Sequence, residues 1–383
     1  MLGVATAASP ASTTAPSAAL AAAADNAAPI ALHVRPILRG LDHPWDVAFT
    51  PDGAMLVTER DRERIDVRLP DGTRRVLAEQ VTGMWHRAET GVMGMVVAPD
   101  YATTGDIYVC LGWKLDDTKD IRVTQWHIDR DYTAATLERV VLPGIAINGG
   151  KHAGCRLRFD PHGALYVSTG DSRTGAPPQD LQALNGKVLR IDPATGDGWP
   201  TNPFADSPNA NERRVFTYGH RNPQGLAWRT GPGVPHGMWS VEEGTDRNDE
   251  VNRLRPGGNY GWNPLPLPYN AFAPMTDHTL PGRQINAKWS SGFPTRATSG
   301  GNWITGKRWG GWRGTLAVGA LKNSQLLIMT FDPSGTLTDF QIPPELDTTY
   351  GRLRAPQMGP HHALYLTTDN GFHHDVILKI TPA

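Results

Sequence analysis

Six times along its 383 residues the chain repeats one short pattern: a turn, four to six residues of β character, then a loop rich in Gly, Asp or Thr. The copies fall at 51–58, 105–112, 161–171, 236–244, 314–321 and 360–368. Their spacing, roughly 50 to 75 residues, is irregular in the way that loop insertions make it between the blades of a propeller. Partner strands are predicted between the copies at 45–49, 123–128, 187–191 and 326–331. Helical periodicity is nearly absent, and only 178–184 could form a short helical turn. A lone four-stranded sheet cannot bury both faces, whereas six packed radially can. The pattern therefore predicts an all-β fold, a six-bladed β-propeller of four-stranded antiparallel blades. Segments 33–38 and 375–380 should pair to close the ring, making 31–383 a single domain. A β-sandwich pair leaves the six like copies unexplained.

Composition narrows the function. Gly 41 and Pro 32 suit short strands and many turns, and Trp 12 supplies large rings for wedge-shaped space between sheets. Lys+Arg 37 against Asp+Glu 38 leaves a net charge of -1, with no field to attract nucleic acid or an anionic membrane. No run reaches the roughly 18 apolar residues of a membrane span. Residues 1–30 are Ala-rich with no basic residue, and read as a disordered leader or linker, or as the remnant of an export signal with Ala22-Ala23-Ala24 as its cleavage site. Cys110 and Cys155 are compatible with one disulfide or two buried thiols.

The densest chemistry lies in Arg221-Asn222-Pro223-Gln224-Gly225, between β-type residues and an apolar continuation. Pro223 keeps Asn222 out of the helical region, so a guanidinium and two carboxamides mark a sharp entry into a strand. His152 sits among Gly149, Gly150 and Gly154, a backbone suited to close approach. An imidazole there could take a proton from a substrate hydroxyl near neutral pH; a structural hydrogen-bonding role is the alternative. Lys322 follows the fifth copy, and Arg352 and Arg354 precede the sixth on one strand face, at blade positions read as equivalent to those of His152 and Arg221. Cations converging there would suit a polycarboxylate, and a solvated surface is the competing reading. The segment 242–252 is rich in carboxylates, with Gly244 free to turn carbonyls inward toward a hard cation, or it is a solvated acidic turn. Phosphate-cradling glycine loops, a nucleophile elbow, zinc spacing and a nicotinamide-binding βαβ unit are all missing.

In this order the segments resemble the soluble pyrroloquinoline quinone (PQQ)-dependent sugar dehydrogenases: soluble glucose dehydrogenase, aldose sugar dehydrogenase and sorbosone-dehydrogenase-like proteins. The resemblance runs from about Leu41 to the C-terminus. It rests on His43-Pro-Trp45, Gly91-Val-Met-Gly94, His152-Ala-Gly-Cys-Arg-Leu157, Gly186-Lys-Val-Leu-Arg190, Tyr218-Gly-His-Arg-Asn-Pro-Gln-Gly225, Asn259-Tyr-Gly-Trp262, Gly319-Ala-Leu-Lys322 and Arg352-Leu-Arg354. It implies a six-bladed propeller using PQQ and calcium to oxidise an aldose at its anomeric carbon to an aldonolactone. His152 would be the base. Arg221 and Asn222 would sit at the reactive quinone oxygens, and Gln224 would support the same end. Lys322, Arg352 and Arg354 would pair with the cofactor carboxylates, while the carbonyls of Gly244 and Thr245 would hold calcium. Electrons would pass to a separate acceptor, a cytochrome or quinone, and the enzyme would be secreted or periplasmic.

The chain departs from that pattern at several positions. Thr245 stands where the family usually has proline, and Cys155 where it commonly has glycine. Glu89 stands where it has glutamine near the sugar, and Lys151 where glucose-specific members have Asp. The segment 263–289 is short for the glucose-specific type, which predicts an open cleft and broad aldose acceptance. Two other functions compete: a propeller binding module without catalysis, and a metal-dependent lactonase-type hydrolase, for which only one acidic loop is evident.

Overall fold

The computed structural model describes residues 30–173, 177–266 and 268–383; the leader expected over 1–30 thus lies almost wholly outside the described residues. Among the described residues, twenty-four strands form six separate four-stranded antiparallel sheets. The innermost strands are Pro44–Phe49, Val92–Val97, Gly154–Phe159, Pro223–Arg229, Thr298–Trp303 and Leu353–Met358 of blades 1 to 6. Each packs on the next, and the sixth returns to the first, which makes a propeller. All six repeated segments supply the second strand of a blade.

The ring closes as the terminal segments suggested. Leu32–Leu41 pairs antiparallel with Asp375–Pro382 and becomes the outer strand of blade 6. Closure leaves no blade with an unpacked face. Buried apolar residues form one wedge between each pair of neighbouring blades, from the Leu56–Val109 wedge between blades 1 and 2 to the Leu41–Val47 wedge between blades 6 and 1. Tryptophans fill the widest gaps: Trp239 lies edge-on to Trp303 at 5.3 Å between blades 4 and 5. The expected helical turn at 178–184 is a series of turns; among the described residues the two α-helices are Tyr101–Thr104 and Ala210–Arg214. The carbonyls of Pro177 and Pro178 accept from the Lys187 ammonium.

Cys110, on the second strand of blade 2, is disulfide-bonded to Cys155 on the inner strand of blade 3, with Cα atoms 5.8 Å apart. This decides between the two states that the sequence left open.

One feature recurs in every blade. The register between first and second strand slips where the inner strand begins, between Pro44 and Asp46, Val92 and Met95, Gly154 and Leu157, Pro223 and Gly225, Thr298 and Gly301, and Leu353 and Pro356. Such bulges bend a strand and re-aim its side chains. His43, His152 and Ala297, just before three of these strands, have positive φ of 48°, 51° and 54°. The side chains that precede the inner strands are thereby turned toward the propeller axis at one end.

Candidate active site

At that end each blade presents two positions: the residues before its first strand and those just after its second. His152, Arg221, Asn222 and Arg352 occupy the first kind; Asp171, Glu243, Lys322 and Asp369 occupy the second. Lys322 is therefore not at the blade position of His152, as its spacing suggested, although it lies at the same end. The repeat hides this because a hairpin brings both positions together in space while separating them in sequence.

His152 is buried, and its Nδ1 lies 2.8 Å from Asp171 Oδ1. Asp171 is fully buried, and its other oxygen accepts from Trp262 Nε1 and Tyr269 Oη, both at 2.7 Å. Burial pushes the Asp171 carboxyl up, but the His152 imidazole, the Arg173 amide and the Tyr269 hydroxyl outweigh it and hold it below the usual carboxylate range. On the other side of the ring, Arg221 Nη2 stands 3.1 Å from His152 Nε2. The His152 amide donates to Glu89 Oε2 at 2.9 Å. Gly170 makes this packing possible, because a Cβ there would lie 1.9 Å from the His152 carbonyl oxygen.

Arg221 is anchored by its amide on Glu242 Oε1 and by Nη1 on the Glu243 carbonyl at 2.8 Å; its buried Nε has no partner among the described residues. Asn222 accepts from the Gly154 amide at 3.1 Å. Asn222 Nδ2 and Gln224 Nε2 both donate to Glu243 Oε2, at 3.1 and 2.7 Å. Burial and the nearby charge of Glu89 raise the Glu243 carboxyl above its ordinary range, against the pull of Arg221 and His152. Gln224 Oε1 accepts from Arg354 Nη1 at 2.7 Å.

Arg354 is buried and forks onto Asp369 with two bonds of 2.9 Å. Burial alone would depress its pKa, yet Asp369 raises it, so the guanidinium stays charged. Its charge is already met by protein. Arg352 differs: it lies outside the strand, its side chain is 46% exposed, and it stands 3.5 Å from Asp369. Lys322 is exposed, and its amide, not its ammonium, holds the fold by donating to the Arg296 carbonyl. Gly244 is buried and donates to Asp249 Oδ1 at 2.9 Å, with Thr245 half-buried beside it. A Cβ on Gly244 would meet the carbonyl oxygens of Arg247 and Asn248 at 2.2 and 2.6 Å, so only glycine fits.

Glu89, Asn222, Gln224, Glu243, Arg352, Arg354 and Asp369 line one cavity of about 320 Å³; His152, Asp171, Arg221, Lys322, Gly244 and Thr245 are not in its wall, which passes beside the base at Ala153 and Gly154. Beneath it, Arg156 from blade 3 spans the axis to Asp46 of blade 1, lies 4.1 Å over the Trp45 ring, and donates to the Gln224 carbonyl. Burial lowers the Arg156 pKa to about 10 despite Asp46. Asp171, Asp369 and Arg156 carry no role in the sequence reading, and Glu243 enters it only within the carboxylate-rich segment 242–252. Asp171, Glu243 and Asp369 each come just after the second strand of a blade, a signal that was available; Arg156 needed the ring geometry.

A family described as Glucose / Sorbosone dehydrogenase matches residues 41–375. The aldose sugar dehydrogenase YliI of Escherichia coli (strain K12) is 30% identical over 364 residues, covering 93% of this chain and 94% of that protein. The crystal structure of the soluble aldose sugar dehydrogenase from Escherichia coli, in the apo-form, superposes with a TM-score of 0.81 at 27% identity, covering 92% of this chain and all of that one. The PQQ-bound form of aldose sugar dehydrogenase from Streptomyces coelicolor superposes with a TM-score of 0.74 at 27% identity, again over 92% of this chain and all of that one.

Proposed function

Because the chain belongs to the glucose/sorbosone dehydrogenase family, we propose that it oxidises aldose sugars at the anomeric carbon to aldonolactones, with PQQ and calcium. The observation that carries this reading is the file Asp171–His152–Arg221, which holds a base at the edge of a cavity walled by guanidinium and carboxamide groups.

The residues fit such a cofactor. The cavity is at the small end of the range for small-molecule sites, about 300–1,000 Å³. Its donors are Arg352, Arg354, Asn222 and Gln224, with the unpartnered Nε of Arg221 close by. Glu89 and Glu243 would repel a polycarboxylate on their own, and a divalent cation beside them removes that repulsion. The carbonyls of Gly244 and Thr245 would hold that cation. PQQ, when bound, supplies the acceptor for the hydride of the anomeric carbon.

The chain's own groups manage the proton and the charge. Asp171 at Nδ1 and a donor guanidinium at Nε2 together require the proton on Nδ1 and the lone pair on Nε2. Nε2 is then the atom that takes the anomeric hydroxyl proton, as the same carbon gives up its hydride and becomes the lactone carbonyl. Asp171 stabilises the imidazolium that results. Once Nε2 carries a proton it no longer accepts from Arg221, so the guanidinium is released toward the developing negative charge, with Asn222 beside it. Arg352 and the exposed Lys322 would supply cations for the cofactor carboxylates, and Arg354 orients Gln224. Tyr269, from the short 263–289 segment, donates to Asp171 at 2.7 Å and places its ring 6.4 Å from that of His152.

Among the described residues no helix is long and apolar enough to cross a membrane. The Cys110–Cys155 disulfide suits an oxidising compartment, so we place the enzyme in the periplasm or outside the cell, passing electrons to a cytochrome or quinone. The test is to reconstitute purified protein with PQQ and calcium and follow dye reduction with glucose, xylose and a disaccharide. Turnover with at least one aldose is expected. No turnover with any of them, together with no cofactor-dependent rise in Tm, would reject the reading.

A further inference from the structure

A second concavity, of about 900 Å³, opens at the outer edge of blade 4 and is lined by Arg253, Arg255, His278, Arg283, Gln284 and Lys288 among others. It shares no residue with the catalytic cavity. The strand Glu250–Arg253 leaves the catalytic end at Glu250 and runs away from it to Arg253, so the two sites face different parts of the molecule.

Three arginines and a lysine meet here, and no Asp or Glu is among the lining residues. The guanidinium groups of Arg253, Arg255 and Arg283 make no ion pair or hydrogen bond among the described residues. Lys288 reaches only the Ser334 carbonyl, at 3.2 Å. Burial, then the like charge of Arg255, depresses the Arg253 pKa, and Arg229 is in turn depressed by burial and by Arg253. Five arginines elsewhere, Arg64, Arg156, Arg190, Arg213 and Arg354, each stand within 3.1 Å of a carboxylate. With a net charge of -1, overall basicity does not account for the cluster.

We propose that this cleft binds a small polyanion, a ligand with two or more phosphate or carboxylate groups. Guanidinium forks match the oxygens of both groups in two-bond geometry, and several unspent forks around one concavity suit a ligand with several such groups. The volume suits a small molecule. Ligand charge relieves the mutual repulsion of Arg253 and Arg255, which gives binding a driving force that an already paired surface lacks.

The test is calorimetry on the protein without PQQ, in about 0.15 M salt so that diffuse attraction is screened, with tripolyphosphate and citrate as probes. Saturable binding of at least one probe with Kd below about 1 mM is expected, weakened at least tenfold in Arg255→Glu/Arg283→Glu, which is about 1.4 kcal/mol. Arg39→Glu, the same charge change at an exposed site elsewhere, should leave the affinity unaltered. Tripolyphosphate alone would identify a phosphate ligand, citrate alone a carboxylate, and both the shared oxyanion chemistry. The proposal is overturned if neither probe binds, if the double variant binds like the parent, or if Arg39→Glu weakens binding equally. Should the double variant lose its cooperative melting, Arg255→Gln/Arg283→Gln replaces it, with a loss of about threefold or more expected and unchanged affinity again decisive.

Discussion

Arg221 directs Nη2 at the Nε2 of His152 from 3.1 Å, on the side of the imidazole opposite the 2.8 Å bond to Asp171. A guanidinium has only protons to give, so it reports which ring nitrogen holds the lone pair. His152→Ala should therefore remove the base and lower kcat by about 10²- to 10⁴-fold, the usual worth of general-base catalysis. Asp171→Asn should cost about 10²-fold or more by releasing the tautomer. Both variants should keep PQQ affinity, measured by fluorescence titration, within about threefold. Normal turnover in both would end the assignment.

Arg352 and Arg354 both approach Asp369 but should behave differently. Arg352→Ala removes a half-exposed cation and should weaken PQQ binding about tenfold with an unchanged Tm. Arg354→Ala strands the buried Asp369 and should destabilise the fold by about 3 kcal/mol. Chemical denaturation of the apoprotein separates the two, and equal stability losses would contradict the burial difference.

Glu250 faces Glu242 across the second and third strands of blade 4. Burial, and then the Glu242 charge, raises its pKa to about 8. The folded protein therefore holds a proton there that the unfolded chain releases near pH 4.5. Stability associated with Glu250 is full below that value and is lost as pH rises toward 8. Glu250→Gln should flatten this loss, so that its Tm in metal-free buffer exceeds the parent's at pH 8 but not at pH 4.5. A parallel shift at both pH values would show that the carboxyl does not titrate in this range.

The Cys110–Cys155 bond joins residues 45 apart in sequence and links blade 2 to blade 3 three residues from the base. Cys110→Ser/Cys155→Ser should lose up to about 4 kcal/mol by the chain-entropy estimate. It should also lose activity below the temperature at which it melts, because the bond holds the strand that begins at Gly154. Stability indistinguishable from the parent's under oxidising conditions would indicate that the bond does not form in solution.

The fold was largely legible because each blade repeats a strand with its turn, and periodicity of this kind survives irregular loop lengths. His152, Arg221, Asn222 and Gln224 could be found because they sit in runs of special residues before a strand. Asp171 and Asp369 were passed over because a carboxylate after a strand looks like an ordinary turn residue, and Glu243 was seen only as part of an acidic loop. Lys322 and Arg352 were given the same weight as Arg354, yet they are exposed and it is buried.

The amino-acid order alone determined six sheets, their second strands and the pairing of the two ends, since these follow from local β pattern and the need to cover every sheet face. Only the closed ring decided which charges are spent and which remain available. Pairs such as Asp46–Arg156 and Gln224–Arg354 join residues 110 and 130 positions apart, with partners set by where the blades converge on the axis. No local propensity encodes that meeting, because it is a property of the packed whole.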